Sequence, residues 1–108
     1  MKVTRIYNMS GGTYKSRAQI MTELNMGQRS VDGRIAEIQE EIRNGRYSEY
    51  AVIRDGGFTW VNWLVWIDYE TYRKRLLEKN LRKNVPPFNP YKLAYEMGMY
   101  QDKEEMML

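Results

Sequence analysis

The side chains of this chain that could do chemistry are its cations and carboxylates, because cysteine and histidine are both absent. Without them the usual nucleophile and base pairs and most zinc or copper sites cannot be built, and disulfides are excluded. No group of acids has the spacing of a metal-binding loop. An enzyme is therefore not expected, nor a metal site. What remains is recognition of anions by lysine and arginine, of which there are 17 against 14 acids. The surplus is uneven. Residues 1–36 hold six basic and two acidic side chains and residues 73–83 hold six and one, whereas the last seven residues hold three acids and one lysine. Between the two basic segments, Glu37, Glu40, Glu41 and Glu49 are set against Arg43 and Arg46. Basic segments brought together by folding would make a phosphate-binding surface, although lysine-rich helix faces also occur simply because they are soluble.

The elements that must position these cations are centred on the stretch from Leu24 to Ile35. An apolar residue closes one helix, a turn residue follows, and Ser30 and Val31 lie at the start of another whose next core position is Ile35; that is the spacing of a helix-turn-helix. Two helices meeting steeply through so short a connection need a residue that tolerates positive φ, and Asn25 stands there. Met26 would plug the angle and Gly27 would be the N-cap of the second helix. Where the first helix usually carries a small residue, this chain has Met21. The second helix is expected from Gln28 to Arg43, with Asn44 and Gly45 as its C-cap signal. Val31, Ile35, Ile38 and Ile42 form one apolar stripe, and Arg29, Gly33, Ala36 and Glu40 lie opposite. A glycine inside a helix costs roughly 1 kcal/mol relative to alanine, so Gly33 asks for a reason. Close approach to a DNA groove is one, beside the long reach of Gln28 and Arg29; a tolerated surface residue is the other. The acid-rich second half of this helix would be repelled by phosphate, so only its first two turns should enter a groove.

Around this unit, Val3 to Tyr7 has the composition of a short strand and residues 8–13 of a loop. Ser16 and Gln19 form a capping box, which predicts a helix from Arg17 to Leu24 burying Ile20, Met21 and Leu24. Strand-like runs at 50–53 and 58–61 flank a tight turn at 54–57, and such a hairpin directly after a helix-turn-helix is a wing. Arg54 near its tip would reach a phosphate or the minor groove. Asn62 should cap a helix reaching about Arg82, its stripe being Val65, Tyr69, Tyr72 and Leu76; its aromatic rings are read as core rather than as a ligand stack. Prolines at 86, 87 and 90 end it. Asn89 and Pro90 then start a short helix over 91–97, stopped at Gly98, with residues 99–108 fraying. The fold class is thus mainly α with a small β-hairpin wing, residues 1–83 forming the domain and 84–108 an extension. No apolar run approaches the ~20 residues of a membrane span, and the N-terminus lacks a signal-peptide core. A cytoplasmic protein is expected.

The order of helix, turn, helix, Gly-Gly hairpin and helix resembles the winged helix-turn-helix proteins of the excisionase and MerR-like group, as found in phages and mobile elements of Gram-positive bacteria. The likeness is carried by Leu24 to Ile35, by residues 45–47, and by 53–57 with 61–62, over roughly residues 14 to 82. The resemblance implies that Gln28, Arg29, Asp32 and Gly33 enter the major groove, that Arg34 beside them meets the backbone, and that Arg54 belongs to the wing. Arg29 would pair bidentately with guanine, while Asp32 would accept from a cytosine amine or orient Arg29. Ser30 and Lys15 would meet phosphate. It further implies sequence-specific binding of double-stranded DNA without a cofactor. The role would be architectural, beside a tyrosine integrase and as a homo-oligomer on DNA, or transcriptional control. A different class stays open: an adaptor that reuses the scaffold and binds a protein through residues 91–97 or an aromatic surface.

Overall fold

The computed structural model describes residues 14–98, and within them the first helix starts where its capping chemistry requires. Ser16 Oγ accepts from the Gln19 amide at 3.1 Å and Gln19 Oε1 accepts from the Ser16 amide at 2.8 Å, which satisfies two otherwise orphaned donors. Helix α1 (Arg17–Leu24) ends at Asn25, whose φ of 52° and ψ of 46° are the left-handed geometry expected of the turn. Helix α2 (Gln28–Arg43) follows, with Gly27 as its N-cap. It stops in a paired turn: Gly45, at φ 89°, donates to the Ile42 carbonyl and Arg46 to that of Glu41, at 3.1 and 3.0 Å. The positive φ is needed for this closure, and glycine adopts it without a Cβ penalty.

Three short strands form one antiparallel sheet in the order β1 (Tyr14–Ser16), β3 (Phe58–Asn62), β2 (Val52–Asp55). Strand β1 was not legible as a strand. It has three residues, too few for alternation to register, and becomes a strand only through pairing of Tyr14 with Asn62 and Ser16 with Trp60. The hairpin is tighter than expected: Asp55 pairs with Phe58, so Arg54 and Asp55 belong to β2 and only Gly56 and Gly57 turn. Gly56 takes φ 62° and Gly57 does not take a positive φ, the pattern of a type II′ turn that follows the twist of the strands. The expected strand start at Tyr50 is instead a 3₁₀ turn over Glu49–Ala51, because Ser48 Oγ accepts from the Tyr50 amide at 3.2 Å.

Strand β3 passes without a loop into α3 (Trp63–Leu77), since Asn62 Oδ1 accepts from the amides of Leu64 and Val65 at 3.0 and 3.2 Å. The helix ends five residues short of the expected Arg82. Arg82 folds back instead, donating to the Leu76 carbonyl and to Glu41, so it closes the end of α3 from outside. A short helix, α4 (Pro90–Glu96), begins as expected with Asn89 accepting from the Lys92 amide at 3.0 Å.

The core lies where α1, α2 and α3 meet the inner face of the sheet, with Ile20, Val31, Ile38, Val61, Trp66 and Tyr69 fully buried. The aromatic residues Trp66 and Tyr69 are therefore core, as expected. Leu24 is not: it is 41% exposed at the point where the chain turns away at Asn25. The described residues are mainly helical, with four α-helices and a three-stranded antiparallel sheet. No helix among them is long and apolar enough to cross a membrane. The expectations for residues 3–7, 8–13 and 99–108 lie outside the described residues.

Candidate nucleic-acid interface

Asn25 turns the chain so that α2 buries Val31, Ile35 and Ile38 and leaves Arg29, Gly33, Ala36 and Glu40 exposed on the opposite side. Helical phase alone separates the two sets. Gln28, Arg29, Asp32 and Gly33 line one surface concavity. Arg29 has no hydrogen-bond or ion-pair partner among the described residues and is exposed, which leaves its guanidinium available. A Cβ at Gly33 would meet no atom within 4 Å. This glycine is thus not required by any packing of the described chain on itself.

The other sequence-derived candidates are distributed differently. Asp32 accepts from Arg17 Nη1 at 3.1 Å, both side chains being partly exposed. Arg17 occupies the first position of α1, where the helix dipole disfavours a cation; that misfit was the sequence signal for an acidic partner, and its role was missed. Ser30 is exposed on the first turn of α2. Arg34 faces α3 rather than the concavity and pairs with Glu70 at 3.2 Å. Lys15 stands apart on β1, with Nζ at 2.5 Å from Glu23 and 4.7 Å from the Trp63 ring centre, its side chain 16% exposed. Arg54 is not at a turn tip. It lies back on its neighbours, near Thr59 Oγ1 at 3.5 Å, and Gln39 of α2, with its amide oriented to bond, accepts from it at 3.2 and 3.3 Å.

No protein-family model, curated protein or solved structure matches the chain. Its own geometry therefore carries the functional argument.

The two basic segments do not simply merge into one phosphate surface. Arg73 binds Glu37 through two bonds of 2.7 and 2.9 Å, and Arg82 binds Glu41 through two of 2.9 and 2.7 Å. The Arg73 pair and that of Arg34 with Glu70 lace α2 to α3, and the Arg82 pair ties α2 to the turn after α3. The hydrogen bond from Arg73 holds the Glu37 carboxyl below its ordinary range, against the opposing effect of burial. Deeper in the same seam, Asp68 Oδ2 accepts from Tyr47 at 2.6 Å and from Arg46 at 3.1 and 2.8 Å, and Arg46 also donates to the Pro86 carbonyl at 2.8 Å. Burial pushes the Tyr47 hydroxyl well above its ordinary value, and the carboxylate it serves adds to the shift. These arginines are structural. Lys74, Arg75, Lys79 and Lys83 are exposed and have no partner among the described residues.

Proposed function

We propose that this chain is a sequence-specific double-stranded DNA-binding protein of winged helix-turn-helix type, reading the major groove with the first two turns of α2. The observation that carries the reading is Gly33. A glycine in mid-helix, exposed, with open space around its missing Cβ, costs stability without any internal return, and it lies in the concavity that Arg29 and Gln28 share. A groove floor approached closely by the helix supplies the missing reason. Arg29 is the base-reading residue, because an unpaired guanidinium matches the two acceptors of guanine. Asp32, held by Arg17, supports the geometry beside it. Such a surface serves an architectural factor in recombination or a transcription regulator equally well.

The test is fluorescence anisotropy and gel shift against DNA flanking the protein's own gene, at two salt concentrations, with unrelated duplex as competitor. Specific binding is expected, with each phosphate contact adding about 0.9 to the log-log salt slope. Arg29→Ala should weaken specific binding by about 1–3 kcal/mol with the fold unchanged by circular dichroism. Absence of any binding above the competitor, or an Arg29→Ala protein that binds as tightly as the parent, would remove the reading.

A further inference from the structure

Among the described residues, the hairpin and the end of α3 each present apolar side chains to solvent, and their rims carry opposite charge. The first patch is on the hairpin. The register pairs Ile53 with Trp60 and Asp55 with Phe58, so strand alternation puts these on the sheet face opposite Val52 and Val61. Phe58 is 67% exposed, Ile53 and Trp60 each more than a third, and Tyr50 beside them 65%. Asp55 is on this face and Glu49 precedes Tyr50 in the turn before β2; both carboxylates are exposed and have no partner among the described residues. The one cation lining the groove beside Phe58 and Trp60, Arg17, is paired with Asp32. The second patch is the end of α3 and the turn after it, where Leu77 is 56% and Leu81 46% exposed. The charges here without a partner among the described residues are the cations Lys74, Arg75, Lys79 and Lys83, with the acid Glu78 between them.

One copy cannot join its own patches. Helix α3 leaves the sheet directly at Trp63 and has 15 residues, so at 1.5 Å per residue Leu77 stands about 21 Å along it from the hairpin's end. We propose that the hairpin face of one molecule docks on the Leu77 and Leu81 end of α3 of a second copy, head to tail. Apolar surface then leaves water on both sides, and the acidic rim of one patch meets the basic rim of the other. The symmetric alternatives lack this match. Hairpin on hairpin sets carboxylates against carboxylates, and α3 end on α3 end sets cations against cations, so complementarity of charge selects the heterologous contact.

The experiment is sedimentation of the full chain without DNA, so its outcome is independent of the DNA-binding reading. The parent should self-associate as concentration rises to about 1 mM. The association should weaken in about 1 M salt, where the Debye length falls to about 3 Å. Asp55→Lys combined with Glu49→Lys should weaken it at least about tenfold, as should Lys79→Glu combined with Lys83→Glu, and an equimolar mixture of the two variants should associate again. A parent that stays monomeric throughout overturns the proposal. So does association that the Lys79 and Lys83 changes leave intact, which would mark a hairpin-to-hairpin contact, and so does a mixture that stays monomeric.

Discussion

At the scale of single residues, Gly33 and Asp68 make opposite cases. A Cβ at Gly33 would meet no described atom within 4 Å, so Gly33→Ala should raise stability by about 0.5–1 kcal/mol in urea denaturation. On the proposed function the same methyl should weaken DNA binding. A variant that is stabilised and binds unchanged would return Gly33 to an ordinary surface position. Asp68 is buried with Arg46, each side chain only 9% exposed, and removing one partner of such a pair leaves an uncompensated charge. Asp68→Ala should therefore cost about 3–5 kcal/mol, read from the shift in denaturation midpoint. The sequence disclosed Gly33, because a glycine interrupting an amphipathic pattern is visible locally. It did not disclose Asp68, whose partners Arg46 and Tyr47 are brought to it from 22 and 21 residues away.

At the scale of elements, local chemistry was legible and long-range pairing was not. The limits of α1 and α2, Asn25 in its left-handed turn and Gly45 at the helix end follow from caps and periodicity within a few residues. Strand β1 and the early end of α3 depend on partners far along the chain, and so does the inward use of Arg34, Arg73 and Arg82. Charge counting could not separate these structural arginines from free ones. The seam between α2 and α3 should consequently respond to acid. Glu37 has a lowered pKa in the folded state, so its contribution is fully present above the ordinary carboxylate value and is lost as pH falls through the lower, folded value. Stability measured by denaturation should decline over that acidic window, and Glu37→Gln should decline less steeply. Equal slopes for the two proteins would show that Glu37 is not linked to folding.

At the scale of the whole molecule, residues 85–94 are packed on the body as well as joined to it. Phe88 sets its ring edge against Tyr47 at 5.2 Å, and Ala94 is buried with Leu64. The residues presented to solvent divide the molecule into the α2 face, the acid-rimmed hairpin and the basic end of α3. Composition announced the basic surplus, yet only the fold separates the cations that hold α2 to α3 from those left outside. One contact also suggests an order of events to test. The Arg46 guanidinium reaches Asp68 and the Pro86 carbonyl, 22 and 40 residues ahead of it, and contacts of such separation cost loop-closure entropy, so this junction is expected to close after the helices have met. Interactions completed after the rate-limiting step govern the rate of opening more than the rate of closing. Phe88→Ala, which strips the cover from that junction, should speed unfolding in stopped-flow measurements and leave the refolding rate nearly unchanged. A slowed refolding limb would instead place the C-terminal segment in the nucleus, and the lifetime of the native state would then no longer be set by its last-formed knot of charge.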